Sequence, residues 1–300
     1  METDGHSLTI FLKAGHGRGQ SEFRPKGAST SCRPHYGSGG GRKFCAGGGS
    51  ISSDLTPLSS VLAEGALAFG QTSAALAINN NGQVVGELDA GSVWTAFVQS
   101  GQSFTLLGTL GGASSSARGI NSEGNVVGYS LIPGSGYHAF LNSSGHMTDL
   151  GTLGGIWSQA NAINDNNQII GWAYATGGTK HAFLDQDGIM TDLGTLGGVS
   201  SEANAINNEG QVVGDFEVKY QDYAFLFEDG AMVDLNSLIS ASSGWDLAVA
   251  TDINDQGDIV GYGENSAGNT DGFLLIPVPE PVSTALLGIG GLILFLRRRH

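Results

Sequence analysis

The pair Ile-Asn recurs in register along this chain, at Ile78-Asn79, Ile120-Asn121, Ile163-Asn164, Ile206-Asn207 and Ile253-Asn254, with spacings of 42, 43, 43 and 47 residues. An internal repeat constrains the fold more than composition does, because each unit must bury its apolar face against a neighbour. A period of about 40–45 residues is what a four-stranded propeller blade needs. One copy runs from Gln159 to Gly198. Its segments 159–163, 168–175, 180–186 and 189–194 are short, rich in Ile, Leu, Phe, Trp and Tyr, and separated by turn residues, which predicts four strands. None sustains a helical period of 3.6.

Three residues after each repeated Asn stand Gly82, Gly124, Asn167, Gly210 and Gly257. A position that takes only Gly, and Asn once, is expected at positive φ. The Asn before it can bond its own backbone as an Asx turn. Ile-Asn-x-x-Gly-x-Val-Val-Gly therefore predicts a hairpin followed by a buried strand. The second glycine of the motif (Gly86, Gly128, Gly171, Gly214, Gly261) predicts a bulge or a close backbone approach. A small residue then precedes a Phe in every copy, at Phe97, Phe140, Phe183, Phe225 and Phe273, the pattern expected where neighbouring sheets pack face to face.

The segments 106–112, 149–155 and 192–198 all read (D/L)-L-G-T-L-G-G, 234–240 (DLNSLIS) is a degenerate copy, and the last repeat has none. The segment 54–60 (DLTPLSS), ahead of the first repeat, matches the same pattern. The expected architecture is thus an all-β, five-bladed β-propeller of ~43-residue repeats over 51–276, its last blade closed by an N-terminal strand taken from 54–60. A linear solenoid is the alternative.

Residues 1–50 differ in composition. They hold 7 of the 13 Lys and Arg residues, both cysteines (Cys32 and Cys45) and two glycine runs, and they read as a disordered leader without a recognisable signal peptide. The cysteines lack metal-ligand spacing. From 51 to 280, 25 acidic residues face only Arg118, Lys180 and Lys219, a balance that excludes nucleic acid as a partner.

After Pro279-Glu280-Pro281, residues 282–296 form a run of fifteen without a charge, followed by Arg297-Arg298-Arg299-His300. A helix counted from Val278 reaches about 28 Å, enough for a hydrocarbon core of ~30 Å. The expectation is a transmembrane helix in 282–300, with the arginines as a cytoplasmic stop-transfer and the propeller outside. This tail, VPEP followed by an apolar span and RRR, resembles the PEP-CTERM sorting signal of Gram-negative bacteria. The repeats, with His138-Ala139-Phe140 and His181-Ala182-Phe183, are similar to the HAF extracellular repeat family. The resemblance implies an exported protein, held in the inner membrane and then processed by an exosortase-type transpeptidase. Pro279, Glu280 and Pro281 would be the recognition motif, in a linker over 277–281, and the cell surface or extracellular space the destination.

No catalytic, metal or cofactor motif stands out. Asp185-Gln186-Asp187-Gly188 lacks the later acidic positions of a calcium loop and reads as a hairpin turn. His138 and His181 recur opposite non-His residues, which favours packing over metal ligation. The charged residues Glu217, Lys219, Asp222 and Asp246 and the aromatic residues Trp94, Trp157, Trp172 and Trp245 depart from the repeat. They leave three functions open: a structural or adhesive surface module, a carbohydrate-binding propeller that takes extracellular polysaccharide, and, less favoured, a glycoside hydrolase with paired carboxylates.

Overall fold

The computed structural model describes residues 7–10 and 72–278, apart from 90, 92 and 135. In chain order the strands are β1 (Ser7–Ile10), β2 (Ser73–Ile78), β3 (Val84–Asp89), β4 (Trp94–Ser100), β5 (Ser103–Gly108), β6 (Ser115–Ile120), β7 (Val126–Leu131), β8 (Tyr137–Ser143), β9 (His146–Gly151), β10 (Gly154–Ile163), β11 (Ile169–Ala175), β12 (Lys180–Gln186), β13 (Ile189–Gly194), β14 (Ser200–Ile206), β15 (Val212–Val218), β16 (Gln221–Glu228), β17 (Ala231–Asp234), β18 (Asp246–Ile253), β19 (Ile259–Glu264) and β20 (Thr270–Val278). They form five four-stranded antiparallel sheets, β2 to β5, β6 to β9, β10 to β13, β14 to β17, and β18-β19-β20-β1. These are blades 1 to 5 of a propeller-like array. The isoleucines of all five Ile-Asn pairs, Ile78, Ile120, Ile163, Ile206 and Ile253, line one axial cavity, so the repeats turn about an axis and do not stack in a line.

Each blade begins with the Asn turn. Gly82, Gly124, Asn167, Gly210 and Gly257 all have positive φ, between 59° and 85°, as the Gly-or-Asn pattern requires. The Oδ1 atoms of Asn79, Asn121, Asn164, Asn207 and Asn254 each accept the amide of the residue four positions on, at 2.8–3.0 Å. The other half of the amide leaves the blade. Nδ2 of Asn79 donates to the Asn121 carbonyl at 2.8 Å, Asn121 to Asn164 at 3.1 Å, Asn164 to Asn207 at 2.9 Å and Asn207 to Asn254 at 2.9 Å. One side chain both closes a turn and joins two sheets.

The second glycine is a close approach. A Cβ on Gly171 would overlap the Gln159 carbonyl oxygen of the paired strand, and Gly86, Gly128, Gly214 and Gly261 face the same obstruction from Ala74, Ser116, Glu202 and Val249. Beside it, each first strand carries a bulge, at 76, 118, 161, 204 and 251.

The Val-Val doublets are apolar on both faces because each blade is covered on both sides. Val126 joins the core between blades 1 and 2, and Val127 the core between blades 2 and 3. The small-residue-Phe pair divides in the same way: Ala96 of blade 1 packs with Phe140 of blade 2, and Ala139 of blade 2 with Phe183 of blade 3. A serine adds a second tie. Ser115 Oγ accepts the Ala96 amide at 2.9 Å and donates to the Gly108 carbonyl at 2.6 Å; Ser201 does the same with Ala182 and Gly194, and Ser158 with Ala139 and Gly151. Where the fourth strand of blade 4 degenerates to DLNSLIS, a 3₁₀ turn at Leu235–Ser237 replaces the Gly-rich loop. There Asn236 exchanges two hydrogen bonds with the backbone of Leu247.

Four interfaces are built this way. Between blades 5 and 1 the described residues show no such core. Val260 is 40% exposed, whereas its equivalents Val85, Val127, Ile170 and Val213 are fully buried, and Ile78 is 68% exposed against 8% for Ile120 and Ile163. The Asn ladder stops at the same place, where Asn254 Nδ2 turns back to Asp258 at 3.0 Å.

Two expectations are corrected. Residues 1–50 are not disordered throughout, because Ser7–Ile10 is a strand. It pairs antiparallel with β20, Ser7 opposite Val278 and Ile10 opposite Leu275. The outer edge of β20 exposes unpaired amides and carbonyls, which an extended segment with free N–H groups can satisfy. The fourth strand of blade 5 is therefore N-terminal, as expected, but it comes from 7–10. The segment 54–60 lies outside the described residues. The repeat domain also runs past 276, since β20 continues to Val278. Pro279, Glu280, Pro281, the expected transmembrane helix in 282–300 and Arg297, Arg298 and Arg299 lie outside the described residues. Among the described residues no helix is long and apolar enough to cross a membrane.

Asn164 is 4% exposed and serves both its turn and the next blade. Asn164→Ala should cost about 2 kcal/mol, because it strands buried polar groups on both sides. Asn254→Ala, at an exposed turn, should cost under about 1 kcal/mol. Thermal unfolding of the two variants checks the difference.

Candidate functional site

If the repeated residues build the frame, function is to be sought where the repeat varies. The residue after the second glycine is Glu87, Tyr129, Trp172, Asp215 or Tyr262 in the five blades. The residue two before the small-residue-Phe pair, first or second in the third strand, is Trp94, Tyr137, Lys180 or Asp222 in the first four. Both series point toward the end of the array opposite the Asn turns.

Across blades 2 and 3 these positions gather five aromatic rings. The Tyr137 ring lies 5.3 Å from Tyr129, 6.2 Å from Trp157 and 5.9 Å from Trp172, and Tyr174 lies 5.2 Å from Trp157 and 5.8 Å from Trp172. Tyr137 and Trp157 are nearly parallel, at 15°, and the other Trp and Tyr contacts among Tyr137, Trp157, Trp172 and Tyr174 are edge-on, which suits the ring quadrupoles. Trp157 is 37% exposed, while Trp172, in edge contact with Tyr137 and Tyr174, is buried. The cluster ends in a cation on each side. The Arg118 guanidinium stands 5.5 Å from the Tyr129 centroid and the Lys180 ammonium 5.7 Å from that of Trp172.

Lys180 joins the rings to an acidic cleft. Its Nζ donates to Glu202 Oε2 at 2.8 Å, and Asn161 Nδ2 donates to Glu202 Oε1 at 3.0 Å. Burial opposes the Lys180 charge, but the Glu202 hydrogen bond and the nearby carboxylates hold its pKa above the usual lysine value. Glu202 in turn lines a cavity of about 420 Å³ between blades 4 and 5, with Asn204, Asp215, Asp222, Thr251 and Tyr262. Burial pushes the Asp215 carboxyl up to about 6; the Asn204 hydrogen bond and Lys180 pull it down, while the charges of Glu202 and Asp222 raise it further.

Of the departures from the repeat, Trp157, Trp172 and Asp222 belong to this surface. Glu217 accepts from Ser200 and Asp246 from Gln221, Lys219 is an exposed turn residue at φ 53°, Trp94 is 38% exposed on blade 1, and Trp245 packs on the core between blades 4 and 5. The residues that sequence reasoning missed, Tyr129, Tyr137, Tyr174, Glu202 and Asp215, were detectable only by comparing the repeats column by column. His138 and His181 each place Nδ1 against a carboxylate, Asp149 at 2.9 Å and Asp192 at 2.8 Å, so the motif's His answers the Asp of the following D-L-G. The Asp185 to Gly188 segment is a two-residue hairpin with positive φ at Asp187 and Gly188. Among the described residues no group of three or more His, Cys, Asp or Glu side chains is placed to hold a metal ion.

A family described as a protein of unknown function (DUF3466) matches residues 152–262, which takes in blades 3 and 4 and, in blade 5, β18 and most of β19. No curated protein matches the chain by sequence. Among solved structures, TolB from Acinetobacter baumannii is similar at 12% identity and a TM-score of 0.44, with 69% of this chain covering 55% of that one, so the chain spans about half of TolB. A variant of Aleuria aurantia lectin in complex with alpha-methyl-L-fucoside is similar at 16% identity and a TM-score of 0.37, over 71% of this chain and 79% of that one.

The raised Asp215 pKa has a signed consequence. Its folded value, about 6, lies above the ordinary 3.8, so folding takes up a proton between them and ionisation costs stability as pH rises through that window. Asp215→Asn should therefore melt above the wild type at pH 7, with the gap closing below pH ~4. Melting curves across pH 3.5–7.5 check this, and a gap that widens toward acid would contradict it.

Proposed function

We propose that the five-sheet domain is a carbohydrate-binding module. One observation carries the reading: a partly exposed Trp-Tyr surface, built from Tyr137, Trp157 and Tyr174 and packed on the buried Trp172, occupies positions that the repeat leaves free, and it is bordered by hydrogen-bonding side chains. The apolar face of a sugar ring stacks on such aromatic rings, while amides and carboxylates beside them take its hydroxyls. Trp157 offers an exposed indole, and Asn161 and Glu202 supply the polar border. The carboxylates of Glu202 and Asp215 are engaged with Lys180, Asn161 and Asn204, which favours binding over glycoside cleavage.

The tail supports a setting for this activity. Pro279-Glu280-Pro281, the uncharged run over 282–296 and Arg297-Arg298-Arg299 form the pattern of an exosortase-processed sorting signal. On this reading the chain is exported, held in the inner membrane by its C-terminal helix, and passed to the cell surface or the extracellular matrix. Exosortase and extracellular polysaccharide are then its partners. The many carboxylates and few lysines of the domain suit a solvated surface protein.

Trp157→Ala should weaken binding to a responsive polysaccharide by about tenfold, the loss of one stacked ring, and should lower the melting temperature by several degrees, since the indole also packs on Tyr137 and Tyr174, so binding is compared well below the variant's melting point. A glycan array followed by titration of the best hit checks this; no binding to any glycan, or equal binding by the variant, overturns the reading. For the tail, Pro279→Ala with Glu280→Ala should leave the protein in the inner-membrane fraction, as judged by fractionation and blotting. Normal release of the double variant would remove the sorting role.

A further inference from the structure

The exposed aromatic side chains among the described residues are Trp94, Trp157, Tyr220 and Tyr262, and all four lie at the end opposite the Asn turns. Three of them stand on strands. Tyr220 stands on a turn, the two-residue hairpin that it makes with Lys219 between β15 and β16, and it is 98% exposed. Lys219 and Tyr220 both have positive φ, 53° and 68°. In the matching turns of the other four blades the described residues at positive φ are all glycines: Gly91, Gly134 and Gly136, Gly177 and Gly178, and Gly268. Left-handed backbone strains any residue with a Cβ, and glycine relieves the strain. Blade 4 thus keeps a tyrosine where its four sisters use glycine, and the ring gains no packing in return. Strain of this kind persists where the side chain has a use outside the fold.

The turn is placed to extend the aromatic face. Lys180 lies over Trp172 on blade 3 and donates to Glu202 on blade 4, and Glu202 pairs with Asp215 across the strands of that blade. From Asp215 the chain runs five residues outward to Tyr220, roughly 15 Å at the rise of an extended strand. One sugar ring covers one platform, and no single ring spans that reach. Trp157 and Tyr220 can serve the same ligand only if it is a chain. We propose that Tyr220 is a second stacking platform of the aromatic face, and that the ligand is held along its length, as several linked sugar residues laid from Trp157 on blade 3 to Tyr220 on blade 4. The inference rests on the carbohydrate reading and deepens it, adding a binding residue and excluding recognition of a single terminal sugar. Two modest contacts joined by one ligand bind more tightly than either alone, because the first raises the effective concentration for the second.

The test titrates dimers and hexamers derived from cellulose, mannan, xylan and chitin into the full chain. The best-bound hexamer should exceed its own dimer by about tenfold or more in affinity. Tyr220→Gly should weaken that hexamer by about tenfold, the loss of one stacked ring, and the dimer far less. The same substitution should raise the melting temperature by about 2 °C, because glycine suits the left-handed turn. Tyr220→Phe, which keeps the ring, should hold the hexamer affinity within about twofold of the wild type. Stability and binding moving in opposite directions is a signature that a purely structural tyrosine does not give. Equal affinity for dimer and hexamer, or wild-type hexamer affinity in Tyr220→Gly, overturns the second platform; the carbohydrate reading survives either result if Trp157→Ala still weakens binding. Binding of none of the hexamers overturns the inference too, and an empty glycan array beside it removes the carbohydrate reading itself.

Discussion

The bifurcated duty of one asparagine side chain holds this architecture together. Oδ1 closes the turn of its own blade and Nδ2 reaches the same carbonyl in the next, from Asn79 through Asn207. Asn meets both needs because its amide carries an acceptor and a donor on one rigid plane. Aspartate would close the turn but could not donate, and it would set like charges around the axis. Serine is too short to span two sheets. Once the Asn is fixed, the residue three positions on must return the chain at positive φ and the following strand must lie against the first, with glycine where the strands touch. The period cannot drift without breaking the bond between blades.

A second set of ties follows the same logic at the backbone. The amide of Asp165 reaches Asn208 Oδ1 and that of Asn208 reaches Asp255 Oδ1, both at 2.9 Å, while Ser122 reaches Asp165 at 2.8 Å. The acids in these turns lie at exposed positions. They are solvated, and two of them also accept a neighbour's N–H, so the residue after each Asn works across the interface as well.

The fold was legible because its constraints are local and repeated. Gly82 and Asn167 reveal a left-handed position by what they exclude, and the Ala139-Phe140 and Ala182-Phe183 pairs reveal a face-to-face core by alternating small with large. The strands at Lys180–Gln186 and Ile189–Gly194 stand where their composition put them. What stayed hidden depends on partners far apart in the chain. Nothing in Ser7-Leu8-Thr9-Ile10 marks it as the partner of β20, since four extended residues become a strand only when an edge is offered. The site was hidden for a related reason. Trp157 and Trp172 stood out by residue type, but Asp215 is one acid among many until the column after the second glycine is read across blades as Glu, Tyr, Trp, Asp, Tyr.

That column explains why a binding surface can be built here at all. Tyr137 and Trp157 meet across the interface of blades 2 and 3, Lys180 and Glu202 across that of blades 3 and 4, and Asp215 and Tyr262 face each other across that of blades 4 and 5. Each of these three contacts straddles an interface that the asparagine ladder and a buried core hold in register. The interface of blades 5 and 1, where Ile78 and Val260 are exposed and the ladder ends, contributes none of these groups. Side chains that must be placed to within a fraction of an ångström sit on the best-tied interfaces, because a site is only as well positioned as the packing beneath it. The repeat therefore does two things with one sequence: its constant residues fix the distance between blades, and its variable residues use that fixed distance to bring aromatic, cationic and acidic groups together at one end.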